Sequence, residues 1–406
     1  MTYAEAVKYL YSLGNEIQTA KFDLERIKKV LEALGNPQQV CRFVHVAGTN
    51  GKGSTSAMIE SGLRAAGVAS ALYTSPHLVE PTERIQINGQ PVTPAQFASA
   101  FEQVHAAAEA LQLDFHPTYF ECVTAMAFLL FRQTGVQIAV LEVGLGGTLD
   151  ATNVVHPDLC VITPIDFDHQ VFLGDTIERI AGEKAGILKP GVPAIFAEQR
   201  PEVEALLVAR AQGPYTLARN WPITDLHIDA RGSRFQVAGM QVECPLAGEH
   251  QVENARMAAL ALRHLGHSPA GIAQTRWPGR LERAKSTNGP EILLDGAHNI
   301  AGTRALVRYL QRFYADRRVW VVFGVMRDKA VAEIASLLFP LAHRIILTRP
   351  DNSRAMPPES IPAPGATLTH SVSEALLAVR EASPEDVVLI TGSLYVVGEA
   401  RAALVK

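Results

Sequence analysis

Short apolar runs of strand length alternate with longer runs of helical periodicity along most of the chain. Strands are expected at 43–47, 68–73, 137–143, 159–165 and 193–197, and again at 291–295, 318–323, 344–348 and 386–391. Helices are expected from about Val252 to Leu265 and near 302–314, 329–339 and 372–382. A chain that returns through a helix between strands builds a parallel sheet, and such a sheet is covered on both faces. The pattern therefore predicts two α/β domains, the larger one first. Between the two series lies a polar, turn-rich stretch at 212–245. The segment WPGRLERAKSTNGPE (277–291), with two prolines and two glycines, is the best linker candidate. The expected division is 1–280 and 281–406.

In open α/β sheets ligands sit at the carboxyl ends of strands, so the residues following each strand are the informative ones. The apolar run Phe43, Val44 and Val46 leads into the glycine loop of HVAGTNGKGSTSAMIESGL (45–63). Gly48, Gly51 and Gly53 surround Lys52, and Met58, Ile59, Gly62 and Leu63 then follow helical spacing. Strand, glycine loop and helix N-terminus together aim backbone N–H groups and positive potential at an anion. Lys52 adds a point charge and Ser54 a hydroxyl for a metal ion. The loop departs from G-x-x-x-x-G-K-[ST], because Gly53 follows Lys52 and Val46 stands where the first glycine is expected. Taken alone it reads as a nucleotide phosphate site, with a flexible Gly-rich turn as the other reading.

Other strand ends are also chemically loaded. VQIAVLEVGLGGTLDATN closes on Glu142, with Gly144, Gly146 and Gly147 directly after it. A carboxylate there can hold Mg²⁺ beside a phosphate loop, or can simply cap a turn. LCVITPIDFDHQ ends in Asp166, Asp168 and His169, three potential metal ligands or a solvated acidic turn; Mg²⁺ by itself prefers oxygen. Lys184 in GEKAGILKPG, judged from its neighbours alone, reads as a surface lysine. TSPHL (74–78), HQVENARMAALA (250–261) and LDGAHN (294–299) each set polar groups beside an apolar run.

Composition narrows the classes. Net charge is −4 with no long basic run, which argues against nucleic acid as a partner. The four cysteines, Cys41, Cys122, Cys160 and Cys244, form no CxxC pair and read as reduced, packed thiols of a cytoplasmic protein. The N-terminal MTYAEAVKYLYSLG carries Glu5 and Lys8 and lacks a signal-peptide core. The longest apolar run, Cys122 to Phe131, is broken only by Thr124; it is too short for a bilayer and reads as a buried helix. No membrane association is expected.

GTNGKGS, SPHL…ERIQING, TYFE, EVGLGGTLDATN, DHQVFLGDTIERIAGEKAGILKPG, NA…AALAL, PGRLE and DGAHN occur in this order. In this the chain resembles the bacterial folylpolyglutamate synthases and their bifunctional relatives, the dihydrofolate synthases, of the Mur ligase superfamily. The likeness runs from about Lys21 to Tyr395. It implies an N-terminal P-loop-type, mostly parallel sheet domain with flanking helices and a smaller C-terminal Rossmann-like α/β domain. It also implies an ATP-dependent amide ligase: ATP phosphorylates a carboxylate of a pterin substrate, and the amine of L-glutamate displaces the phosphate. By resemblance Gly48, Thr49, Asn50, Gly51, Lys52, Gly53 and Ser54 form the ATP phosphate loop, and Asn254, Arg280 and Asp295 are nucleotide contacts. Ser54, Ser75, Glu142 and His169 match Mg²⁺ ligands. Lys184 matches a lysine carried N-carboxylated, able to face a second Mg²⁺, and His298 matches a residue of the C-terminal domain that faces the cleft. Lys52, Glu142, His169, Lys184 and His298 are the catalytic candidates.

Thr118, Tyr119, Phe120, Glu121, Leu149, Asp150 and Ala151 match pterin-site segments, with Phe120 or Tyr119 able to stack on the ring. KFDLERI (Lys21 to Ile27) takes the place of an N-terminal pterin contact and adds Asp23 and Arg26. The implied ligands are ATP, two Mg²⁺ ions, dihydropteroate or a reduced folate, and L-glutamate, with a monovalent cation as a further candidate and a monomer as the expected state. Two other functions compete. A Mur-type ligase acting on a cell-wall nucleotide precursor would share the ATP chemistry, but SPHL and the short stretch before the glycine loop speak against it. A non-catalytic nucleotide-gated binding protein would not need so complete a set of polar groups at strand ends. No residue decides between the first glutamate, the later ones, or both.

Overall fold

A computed structural model describes residues 1–14, 23–113, 116–284 and 289–405. The chain divides into two compact units: Met1–Thr224, Gln236–Val242 and Glu253–Gln274 in one, Asp225–Phe235, Glu243–Val252 and Thr275–Lys406 in the other.

The first unit is built on β1 (Arg42–Ala47), β2 (Ser70–Tyr73), β3 (Ile85–Ile87), β4 (Gln90–Pro91), β5 (Ile138–Glu142), β6 (Leu159–Ile162), β7 (Ala194–Phe196) and β8 (Tyr215–Leu217). They lie side by side as β4-β3-β2-β5-β1-β6-β7-β8. From β2 to β8 every neighbouring pair is parallel, and β3 and β4 add an antiparallel edge. The central strands FVHVA, IAVLE and LCVI are buried on both faces, which is why they read as unbroken apolar runs. The covering helices are α1 (Tyr3–Ser12), α2 (Glu25–Ala33), α3 (Lys52–Ala65), α4 (Pro94–Ala110), α5 (Tyr119–Thr134), α6 (Gln170–Leu173), α7 (Ile177–Lys184) and α8 (Pro201–Arg210). One apolar core joins α1, α2, α4 and α5 to the sheet through Leu10, Leu31, Phe101 and Phe128. Another gathers α7 and α8 through Ile180, Phe196 and Leu207.

Residues 212–245, the polar, turn-rich stretch for which no strand is expected, contain β9 (Thr224–Ile228), β10 (Ser233–Val237) and β11 (Met240–Cys244), a three-stranded sheet in the order β11-β10-β9. On β10 and β11 the signal is alternation, as where Ser233, Phe235 and Val237 are buried while Arg234 and Gln236 are exposed, and β9 is exposed along most of its length. A strand wetted on one face never produces the continuous run that marks β1 or β5. Then comes α9 (Glu249–His264).

The second unit holds β12 (Glu282–Ala284), β13 (Glu291–Leu294), β14 (Val319–Phe323), β15 (Ala342–Leu347), β16 (Thr367–Leu368) and β17 (Val387–Thr391). Their order is β12-β13-β17-β14-β15-β16. All neighbours are parallel except β12, which runs antiparallel to β13. The helices are α10 (Ile300–Phe313), α11 (Val331–Leu338), α12 (Val372–Ala378) and α13 (Leu394–Leu404). The α/β class expected from the alternation is thus present in both units. Part of the stretch read as a linker is sheet edge: Arg283 on β12 donates to Glu291 at 2.7 Å and to the Ala230 carbonyl at 2.7 Å. Residues 285–288 of that stretch lie outside the described residues. Among the described residues no helix is long and apolar enough to cross a membrane.

Candidate active site

The glycine loop begins where β1 ends and runs into the first turn of α3. Gly48 and Gly51 have φ of 146° and 84°. A Cβ on Gly48 would lie 1.9 Å from Thr163 Oγ1, and one on Gly51 would lie 2.2 Å from Asn254 Oδ1. Both glycines are therefore demanded twice, by conformation and by contact. The Gly51 contact also brings Asn254 to the loop. The turn is tied to the segment after β6: Thr49 N–H donates to the Pro164 carbonyl at 3.0 Å, and Thr49 Oγ1 donates to the Asp166 carbonyl at 2.9 Å. Lys52 Nζ reaches back to the Thr49 carbonyl at 3.1 Å. Ser54 is buried in the first turn of α3.

Glu142 closes β5, the strand beside β1, and is buried. Its Oε2 accepts from the Ser75 N–H at 3.2 Å, so two of the expected metal ligands stand together. The Ser54 and Ser75 hydroxyls and the Glu142 carboxylate are hard oxygen donors of the kind Mg²⁺ takes, so the donor set fits that ion, with His169 adding one nitrogen. Past β6 the candidate ligands Asp166 and Asp168 take different hydrogen-bond partners. Asp166 accepts from Arg200 at 2.8 Å and from the Phe167 N–H at 2.9 Å. Asp168 accepts from the His169 N–H at 2.9 Å, and His169 has φ of 52°.

Lys184, at the end of α7, is buried, contrary to the surface position suggested by its sequence neighbours. Burial pulls its pKa down to about 7; nearby Lys52 pushes the same way, and Asp168, Asp150 and Glu183 oppose it. Gly147 permits this packing, since a Cβ there would lie 2.5 Å from the Glu183 carbonyl and 3.0 Å from Lys184 Cα. The Gly-rich bend 143–150 is folded around Asp150. That buried carboxylate accepts from the Gly144 and Leu145 N–H groups, each at 2.9 Å, and from the Thr152 N–H at 3.0 Å. Burial raises its pKa, and these hydrogen bonds work against the rise. Ala151 is buried beside it, while Leu149 is exposed.

The pterin-site candidates cluster at the start of α5. Thr118 caps the helix through its side chain, and Glu121 returns the bond to the Thr118 N–H at 2.8 Å. Glu121 also pairs with Arg26 at 3.2 Å. The Asp23 carboxylate accepts from the Glu25 N–H at 3.0 Å just ahead of α2, whose N-cap is Leu24. Lys21 and Phe22 lie outside the described residues. Tyr119 is buried and stacked on Tyr11 at 5.7 Å between centroids. Phe120 is half-buried and lies against Gly144, where a Cβ would come within 2.6 Å of its ring. The motif reading passed over Thr163, whose side chain shapes the loop, and the pairing of Arg84 with His77. Arg84 Nε donates to His77 Nδ1 at 2.9 Å and the guanidinium lies over the Tyr119 ring at 5.0 Å. The signal was the pairing of SPHL with ERI, seven residues apart.

In the second unit, Asp295 follows β13 and is buried, accepting from the Leu281 N–H at 2.9 Å and the Ala297 N–H at 3.0 Å. Arg280 lies against Gly296, where a Cβ would be 2.4 Å from its Nη1, and His298 Nδ1 is 2.8 Å from the Gly296 carbonyl. These three candidates therefore surround one loop.

The Mur ligase middle domain matches residues 46–262, and the Mur ligase, glutamate ligase domain matches residues 279–394. The chain is 36% identical over 428 residues to a folylpolyglutamate synthase of Lacticaseibacillus casei, covering 100% of this chain and 99% of the relative. It is 37% identical over 415 residues to a dihydrofolate synthase/folylpolyglutamate synthase of Bacillus subtilis, covering 94% of each. Among solved structures, a Mycobacterium tuberculosis folylpolyglutamate synthase complexed with ADP and AMPPCP superposes with a TM-score of 0.89 at 30% identity, covering 100% of this chain and 99% of that one. E. coli FolC in complex with DHPP and ADP gives a TM-score of 0.89 at 31% identity, covering 99% of this chain and 97% of that one.

Proposed function

The chain belongs to the folylpolyglutamate synthase and dihydrofolate synthase family of Mur ligases, and on that premise we propose that it uses ATP to join L-glutamate to a pterin acid: the first glutamate on dihydropteroate, later ones on a reduced folate, or both. The observation that carries this reading is the sheet itself. Adjacent parallel strands β5, β1 and β6 lead into Glu142, the glycine loop and the Asp168–His169 pair. Ligand chemistry at neighbouring carboxyl ends is what such a sheet supports.

A carboxylate is a poor electrophile, and phosphorylation turns one of its oxygens into a leaving group for the incoming amine. The chain's task is then positioning and charge. The Thr49 and Asn50 N–H groups hold the turn on the Pro164 carbonyl, the N–H groups of Gly51 and the first turn of α3 meet the phosphates, and Lys52 places a cation on them. Ser54, Ser75, Glu142 and His169 would hold magnesium, which would supply charge neutralisation for phosphoryl transfer. Asn254, Arg280 and Asp295 are assigned to the nucleotide, and His298 to the catalytic group of the second unit. A pKa near 7 leaves much of Lys184 as the free amine at neutral pH. That is the form that adds CO₂ and releases a proton, giving an anionic carbamate suited to a second Mg²⁺. Phe120 is the ring offered to the pterin, since Tyr119 is already stacked; Arg26, Glu121 and the 149–151 bend flank it. Asp23 and Asp150 contribute by shaping the segments that do so. Relatives were solved with ADP and AMPPCP, and E. coli FolC with DHPP and ADP, which supports a nucleotide and DHPP-like ligands as the classes bound. We take the protein to act as a monomer in the cytoplasm.

The test is an incorporation assay with ATP, Mg²⁺ and labelled glutamate, offering dihydropteroate, a reduced folate or a cell-wall nucleotide precursor. Glutamate should enter one or both pterin acceptors and not the third. Lys52→Ala and Lys184→Ala should each lose roughly 100-fold or more in kcat while still folding. Incorporation confined to the cell-wall precursor, or none with any acceptor, would overturn the reading.

A further inference from the structure

Bordering the acceptor segment that opens α5, the described residues contain one cluster of mixed metal-ligating side chains. His105, Glu109 and His116 each offer a ligand atom, and these atoms all lie within 4.8 Å of one another. His105 and Glu109 stand four residues apart on α4 and so share a helix face. His116 comes from the segment that leads into α5. Its Nδ1 is 2.9 Å from the Pro117 carbonyl. That contact holds the proton on Nδ1 and leaves the Nε2 lone pair available, the orientation a ligating histidine usually has.

Two further facts point to a ligand. His116 Nε2 and His105 Nδ1 are both buried and have no hydrogen-bond partner among the described residues. A buried polar atom without a partner is costly, and an ion would relieve it. The imidazoles are also held in place by rings: Phe101 stacks on His105 at 5.6 Å and 12°, and Tyr9 lies 4.7 Å from His105 and 5.7 Å from His116. Ring packing accounts for those distances. It does not account for two imidazoles and a carboxylate converging at one point. Glu109 is exposed, which gives an ion a way in and leaves room for water as a fourth ligand. Two nitrogens and one oxygen suit zinc and its neighbours better than Mg²⁺ or Ca²⁺.

We propose that His105, Glu109 and His116 bind one divalent transition-metal ion of the zinc class, tying the C-terminal turn of α4 to the segment that enters α5. The test uses the full chain, stripped of metal and held in excess Mg²⁺, titrated with Zn²⁺ against a chromophoric chelator. The wild type should take up one equivalent that His105→Gln and His116→Gln do not. Glu109→Gln changes an exposed side chain, so it keeps the test valid if a histidine variant fails to fold. It should weaken zinc binding by at least the roughly 10–100-fold that loss of an outer-shell partner costs. Zinc should raise the thermal midpoint of the wild type and not that of Glu109→Gln. Co²⁺ should give the visible absorption of a four-coordinate site only in the wild type. Equal zinc stoichiometry and affinity in the wild type and Glu109→Gln, or no uptake by the wild type at micromolar zinc, would overturn the proposal.

Discussion

His45 shows how a single buried group sets a pH limit on the molecule. It lies in the middle of β1, fully buried, with Nε2 2.8 Å from Thr152 Oγ1. Burial, helped by the charge of Lys189, pulls its pKa down to about 3. The folded chain therefore keeps His45 neutral while the unfolded chain protonates it below about 6.5. Stability from this residue is complete above that value and is lost as the pH falls toward 3, because the unfolded state binds the extra proton. By pH 5 the loss should be about 2 kcal/mol, at roughly 1.4 kcal/mol per unit. His45→Gln keeps a hydrogen bond to Thr152 and does not titrate. Urea unfolding at pH 7.5 and pH 5 should show the wild type losing about 2 kcal/mol more than the variant. Equal losses would mean that His45 does not stay neutral in the fold.

At the scale of elements, α5 carries the clearest link between local structure and ligand binding. Its N-terminus is a reciprocal capping box between Thr118 and Glu121, and Glu121 is also held by Arg26. Thr118→Ala should cost about 1 kcal/mol through the lost cap. Because the same turn is assigned to the acceptor, it should also raise KM for the pterin acid and leave KM for ATP unchanged. A parallel rise in both would detach α5 from acceptor binding. This helix was legible in the sequence because Cys122 to Phe131 is apolar all round, as a helix sandwiched in a core must be. The strands β1, β5 and β6 were legible for the same reason. The wetted strands β9 to β11 were not, since half of each is polar. Gly48, Gly51 and Glu142 could be read from local pattern, because loop and strand end are continuous in sequence. Lys184 could not: the groups that set its environment, Lys52, Asp150 and Asp168, come from other elements. His116 was hidden in the same way, lying across a connection from the His105–Glu109 pair on α4.

Across the whole molecule, the cysteines provide a readout of how firmly each unit is closed. Cys122 on α5 and Cys160 on β6 are buried in the first unit, and Cys244, at the end of β11, is buried in the second. Burial pushes the thiol of Cys160 up to about 12, that of Cys244 to about 11, and raises that of Cys122 as well. The thiolate is the reactive form, so these three should label only when the structure opens around them. Burial pushes the Cys41 thiol up to about 12 too, but Cys41 is only half-buried, needs the smallest opening and should label first. The β6 strand leads directly into the residues that grip the glycine loop, through the Thr49 contacts to Pro164 and Asp166. A non-hydrolysable ATP analogue at 100 times its Kd stabilises the bound fold by about 2.7 kcal/mol, close to a 100-fold drop in the open population. Labelling of Cys122 and Cys160, followed by mass spectrometry under conditions where closing outruns reaction, should slow by about that factor while Cys41 changes little. If the analogue binds and leaves Cys160 labelling at its original rate, the nucleotide does not depend on the folded β1–β6 region, and the phosphate loop assigned here is not where it binds.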